Sequence, residues 1–296
     1  MLGLLLLDKP QGITSFGAVA RIKKLTGEKR VGHTGTLDPM ATGVLPILIG
    51  RATVLSQYLI EADKSYSATV KLGIETDSCD ITGNVTKQKK VSLNDADIEK
   101  ALKSFMGKQL QTPPMFSAIK QNGVRMYDLA RRGETVEIPA REIEVFSLDK
   151  TSNLNKENEF EVDCTVSKGT YIRSLCYDIG EKLGTGATLT ALRRTKTAGF
   201  DIDRCVSLDK LTSENICDYI LPCETVVDYM PKISVTEKQA IRFCNGGQLS
   251  LDRLKESNFT DNTLYRVYYG EKMLGLGLAD LNEQTLKIQC LISRQV

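Results

Sequence analysis

Gly32-His33-Thr34-Gly35-Thr36-Leu37-Asp38-Pro39-Met40-Ala41-Thr42-Gly43 sets three glycines, a proline and several threonines around one acid and the chain's only histidine. Gly and Pro at this density oppose regular structure and specify a shaped loop in which backbone approaches a ligand closely. A lone carboxylate inside such a loop is presented rather than sequestered in a helix. From residue types alone, Asp38 before Pro39 is either a turn residue or a presented acid, and His33 either a polar contact or a site residue. A phosphate-cradling P-loop is disfavoured, because no Gly-Lys-Ser/Thr ending follows.

Around this loop the sequence predicts alternating strands and helices. MLGLLLLDKP reads as a buried opening strand, and Ser15 is placed to cap a helix with Phe16, Val19, Ile22 and Leu25 on its apolar face and Gly27 at its end. Lys64 to Gly73 alternates Tyr66, Ala68, Val70 and Leu72 as a half-buried strand does, and Ser92 with Asp95 resembles a capping box opening a helix to about Met106. Phe160, Val162, Cys164 and Val166 form another strand. The turn Lys168-Gly169 then leads to a helix whose inner face is Ile172, Leu175, Cys176, Ile179 and Leu183. The polar stretch Asp149 to Glu159 reads as a surface loop. From Pro231 the texture changes to a short helix, Thr236 to Phe243, and strands at Thr263 to Tyr269, Met273 to Ala279 and Thr285 to Ile292. The expected fold class is α+β, with a larger domain over residues 1–230 and a small β-rich domain over residues 231–296.

Composition narrows the chemistry. With 296 residues and 41% hydrophobic content the chain can bury a substantial core. It has neither an export leader nor a bilayer-length apolar run, so a cytoplasmic protein without membrane contact is expected. Eight cysteines without a CxxC pair, beside one histidine, argue against zinc and for reduced core residues. The net charge of +2 is carried by residues 231–296, while basic clusters lie at Arg21, Lys23, Lys24, Lys29 and Arg30, at Lys120, Arg125, Arg131 and Arg132, and at Arg193, Arg194 and Lys196. Taken singly, each cluster reads more readily as a solvated face than as a phosphate site.

GHTGTLDPMATGVLPILIG resembles the catalytic motif of the TruB family of pseudouridine synthases. Four further blocks resemble that family in its own order: LLLDKPQGITSF, DKSYSATVKLGIETDSCDITG from Asp63, TPPMFSAIKQNGVRMYDLARRG from Thr112, and SKGTYIRSLCYDIGEKLGTGATLTALRRT from Ser167. They cover most of the first 200 residues. The C-terminal resemblance, to a PUA-like RNA-binding domain, is weaker.

The resemblance implies a mixed-sheet pseudouridine synthase domain with an inserted RNA-gripping segment at about 113–141. It implies that uridine 55 in the T-loop of tRNA is flipped out of its stack and isomerised, without guide RNA, by a protein expected to act as a monomer. It makes Asp38 the catalytic carboxylate, Arg173 its guanidinium partner, and Tyr66 the aromatic that stacks on the base and serves in proton transfer. Leu192 then packs under the base, Lys9 sets the site's structure or field, and His33 fills the gap left by the flipped nucleotide. Lys23, Lys24, Arg125, Arg131 and Arg132 are the candidate contacts to RNA backbone. Cleavage and rejoining of one glycosidic bond involves no redox, hydrolytic or phosphoryl step, so no metal or organic cofactor is expected. Whether Asp38 adds to the base, attacks the sugar or acts as a base stays open.

Overall fold

The computed structural model describes residues 1–116, 120–121, 124–126, 138–256 and 258–294. Its framework is an 11-stranded mixed sheet whose main path runs Val206–Ser207, Gly3–Lys9, Thr42–Ile49, Ala187–Thr197, Lys64–Leu72, Glu159–Val166, Arg141–Lys150, Gly107–Gln111. The strand Ala187–Thr197 runs parallel to Thr42–Ile49 and antiparallel to Lys64–Leu72. This joint matters for the site, because the first partner follows the Asp38 loop and the second carries Tyr66.

Alternation explains the strands. Tyr66, Ala68, Val70 and Leu72 are buried while the residues between them are half-exposed, and Phe160, Val162, Cys164 and Val166 repeat the pattern on the neighbouring strand. The helix Ile172–Lys182 lays Ile172, Leu175, Cys176 and Ile179 on that face. The opening strand is buried on both faces, as its run of leucines requires.

Three local expectations need correction. Thr14, not Ser15, caps the helix Ser15–Thr26, its hydroxyl accepting from Gly17 N, while Gly27 closes it in the left-handed region. The buried face of that helix is Ser15, Ala18, Val19 and Ile22, and Phe16 stands 73% exposed. Ser15 is turned inward because it serves the Asp38 loop instead. The third expectation failed by two residues: the capping box is Asn94 with Asp97, opening a helix over Asp95–Lys103. Asn94 has the extended backbone an N-cap needs and reciprocates with Asp97.

A second, five-stranded sheet is ordered Lys232–Ser234, Leu264–Tyr269, Lys272–Asp280, Thr285–Leu291, Leu249–Ser250, with the helix Glu237–Cys244 capped by Thr236. It has its own core around Ile233, Phe243, Val267 and Leu274. One further apolar cluster is shared between the sheets: Leu4, Leu6, Val44 and Leu48 pack with Tyr268, Met273, Leu276 and Ile292. Arg51 adds a bond across it, Nη2 donating to the carbonyl of Leu291 at 2.9 Å. No helix among the described residues is long and apolar enough to cross a membrane.

Candidate active site

The Gly32–Gly43 segment is held from three directions. Ser15 Oγ donates to Leu37 O at 3.0 Å and accepts from Leu37 N at 2.8 Å. Gly12 N donates to Pro39 O at 2.7 Å, and Ala41 N closes a turn on Asp38 O at 3.1 Å. Leu37 and Met40 are buried in the main core, which stabilises the loop by about 1.5–3 kcal/mol per side chain. Asp38 is left between these anchors with its side chain 35% exposed.

Arg173 meets that carboxylate along one edge, Nε to Oδ2 at 2.9 Å and Nη2 to Oδ1 at 3.3 Å. Its remaining donors go to Ser78 O at 3.1 Å and Phe116 O at 2.8 Å. Asp80 Oδ2 lies 3.6 Å from Nη1 on the far side of the guanidinium. Arg173 is in the first turn of its helix, off the apolar stripe, where a cation runs against the helix dipole; the two carboxylates offset that cost. Asp80 is itself buried and fixed by Ser78 Oγ and by the backbone and hydroxyl of Thr82. Burial pushes the Asp38 carboxyl above its ordinary value, while Arg173 and Lys9 pull it back and Asp80 adds to the rise.

A pocket of about 560 Å³ opens over Asp38, lined also by Leu37, Tyr66, Arg173, Leu192 and Arg194. Asp38, Tyr66, Arg173 and Leu192, expected from sequence, are thus brought together. Lys9 is not at the pocket wall: it is fully buried, its ammonium donating to Pro10 O at 2.9 Å and Ile13 O at 2.8 Å. Burial lowers it to about 8, against the pull of Asp38. Its links to the site are the Pro10–Ile13 turn that it bonds and its charge, which lowers the Asp38 carboxyl. His33 ends the strand Val31–His33 outside the pocket lining, half-buried with Nδ1 unbonded, and burial followed by Arg194 lowers its pKa. Lys23 and Lys24 lie in the last turn of their helix. Lys120 and Arg125 fall in two short paired strands, Lys120–Gln121 and Val124–Arg125; Arg131 and Arg132 lie outside the described residues.

Sequence reasoning missed three residues. Asp80 gave no signal separating it from Asp77. Lys64 lines the pocket, donates to Ala62 O at 2.6 Å and Ile60 O at 3.2 Å, and is lowered to about 8 by burial and then by Arg194. Arg194 was grouped with Arg193 and Lys196 as a solvated basic cluster, and that reading fails for Arg194, while Arg193 and Lys196 stay 41% and 50% exposed. Arg194 is fully buried, Arg193 pairs with Asp8 at 2.8 Å, and Lys196 pairs with Asp201 at 3.3 Å. The signal was available, since Arg194 stands two residues after inward Leu192 on a strand. All eight cysteines are free, and no group of three or more His, Cys, Asp or Glu among the described residues is placed to hold a metal.

A solved Cbf5-Nop10-Gar1 complex contains a chain with this architecture, at a TM-score of 0.72 and 25% identity, over 98% of this chain and 85% of that one. A tRNA pseudouridine synthase B of Clostridium novyi is 44% identical over 99% of this chain and all of its own length, and that of Aquifex aeolicus is 41% identical over 93% and 94%. The model for the TruB family pseudouridylate synthase N-terminal domain matches residues 23–172, and that for the tRNA pseudouridylate synthase B C-terminal domain matches 173–228. With the Asp38 loop, the Tyr66 strand and the Arg173 helix all inside those matched stretches, the chain belongs to the TruB family of pseudouridylate synthases.

Proposed function

We propose that the chain converts uridine 55 in the T-loop of tRNA to pseudouridine, unaided by guide RNA. The observation that carries this reading is the Asp38 carboxylate gripped along its edge by Arg173 at the mouth of a pocket that also holds Tyr66 and Leu192. The near full-length relatives named tRNA pseudouridine synthase B supply the substrate class.

A flipped uracil is taken up between Tyr66 and Leu192, where the pocket walls keep out water that would otherwise capture the separated sugar. Arg173 keeps Asp38 ionised against desolvation and aims it at the glycosidic carbon. Asp38 then supports loss of the base from C1′, the base turns, and C5 bonds to C1′. Tyr66 takes the C5 proton and N1 gains one, so the product is an isomer and no cofactor enters the balance. His33 occupies the space vacated in the RNA stack. We assign residues 1–230 to catalysis, residues 231–296 to a PUA-like RNA contact, and residues 113–141 to a segment that grips the T-arm, with Lys23, Lys24, Arg125, Arg131 and Arg132 toward phosphate. Supporting the second assignment, the sheet begun at Lys232 has a separate core.

Purified protein incubated with an unmodified tRNA transcript, with chelator and without guide RNA, should form pseudouridine at the T-loop uridine. Absence of product there, with folded protein and bound tRNA, overturns the proposal.

A further inference from the structure

Arg194 heads the fully buried side chains by volume, and its surroundings are unusual for a cation. It lies opposite Gly43 on one neighbouring strand and Tyr66 on the other. Nε donates to Val44 O at 2.8 Å and Nη2 to Gly35 O at 2.9 Å, so one guanidinium ties both ends of the Asp38 loop. Tyr66 is its direct partner across the strands, and both side chains line the pocket over Asp38. The loop is shaped to admit it: a Cβ at Gly43 would stand 2.2 Å from Arg194 O, and one at Gly35 3.3 Å from Nη1. Among the described residues no carboxylate forms an ion pair with Arg194; its guanidinium donates to two backbone carbonyls.

A buried charge without a counter-ion is costly, and a neutral side chain would serve a purely bracing role at lower cost. The charge acts on the pocket instead. It lowers Lys9, His33 and Lys64. Burial drives the Tyr66 hydroxyl upward, with Cys164 and Asp38 adding to the rise, and Arg194 opposes all three.

We propose that Arg194 is the positioning residue for Tyr66: tied to both ends of the Asp38 loop and opposite Tyr66, its guanidinium holds at the pocket the positive charge that lets the phenol oxygen take the C5 proton. The inference rests on the role given to Tyr66 above. Once C5 is bonded to C1′, the C5–H bond breaks and its electron pair restores the ring double bond. The proton passes to the Tyr66 phenolate oxygen, N1 takes a proton from water, and Tyr66 later returns its own to water, leaving no net change.

Single-turnover rates at saturating enzyme, measured on unmodified tRNA from about pH 6 to about pH 10, test this in wild type, Arg194→Gln, Arg194→Lys and Tyr66→Phe. Arg194→Gln should lower the rate about 100-fold and move the rising limb up by about one pH unit or more, with tRNA affinity changed by less than about threefold. Arg194→Lys, which keeps the charge, should restore most of the limb's position. In the Tyr66→Phe background Arg194→Gln should cost less than about threefold more. Equal losses in both backgrounds without a limb shift would make Arg194 a brace and overturn the proposal. Should Arg194→Gln not fold, 3,5-difluorotyrosine at position 66 replaces it: the limb must move to lower pH, and an unmoved limb overturns the proposal. A wild type that forms no pseudouridine defeats the proposed function instead, whereas Tyr66→Phe at full rate defeats this inference alone.

Discussion

Arg173 meets Asp38 through two contacts, Nε to Oδ2 at 2.9 Å and Nη2 to Oδ1 at 3.3 Å, while Asp80 Oδ2 stands 3.6 Å from its third nitrogen. The guanidinium therefore has a carboxylate on either side, one facing the pocket and one buried behind it.

Asp38→Asn keeps shape and removes the ionised oxygen, so turnover should fall at least about a thousandfold with tRNA affinity nearly unchanged. Pseudouridine mapping and filter binding on the same preparation check both halves.

The acid limb of the pH profile follows from the same pair. The proposed chemistry needs Asp38 ionised, burial raises its pKa, and Arg173 opposes the rise. Activity should therefore fade, as pH falls, above the ordinary carboxylate range. Arg173→Gln removes the opposing charge and should shift that limb to higher pH by about one unit or more; a limb that stays put removes Arg173 from this role.

Ser15 spends its hydroxyl on both backbone groups of Leu37. Ser15→Ala leaves a buried N–H and C=O without that partner and should cost about 1–3 kcal/mol, read as a fall in melting temperature. The rate should drop with it, because Asp38 is the next residue. Unchanged stability would mean that water replaces the hydroxyl.

These two residues mark how far the sequence could be read. The strands carrying Tyr66 and Leu192, and the helix carrying Arg173, were legible because period 2 and period 3.6 sort inward from outward positions. Ser15 was misread as a cap because Thr14 and Ser15 are chemically equivalent there, and only the fold decides which hydroxyl meets Leu37. Phe16 was misread because helical spacing assigns an aromatic to the core, and the core was already filled by Ala18, Val19 and Ile22. Asp80 was invisible because its role depends on a helix almost a hundred residues away in sequence.

Phe16 is 73% exposed on the helix that carries Lys23 and Lys24, proposed above to face phosphate, and it is expected to stack on an unpaired RNA base. Phe16→Ala should weaken tRNA binding by about 1–3 kcal/mol and leave the rate at saturation unchanged. Titration of a fluorescent base analogue in the T-loop measures it; an unchanged affinity returns Phe16 to the status of a scattered surface residue.

Lys23→Gln with Lys24→Gln should reduce the magnitude of the log-log salt slope of tRNA binding by roughly 0.7–0.9 for each lost phosphate contact. An unaltered slope places both side chains away from RNA.

The apolar cluster joining Leu4, Leu6, Val44 and Leu48 to Tyr268, Met273, Leu276 and Ile292 makes the two sheets one solid. The chain is a gauge rather than a pair of tethered hands: the spacing between the pocket and any surface of the second sheet is set once, at folding. Given the RNA contact proposed for the second sheet, an RNA whose two contact points match that spacing should meet both without a search by the protein, and one of another length should lose the second contact. Selection among RNAs can then be made by dimension, before any base is read.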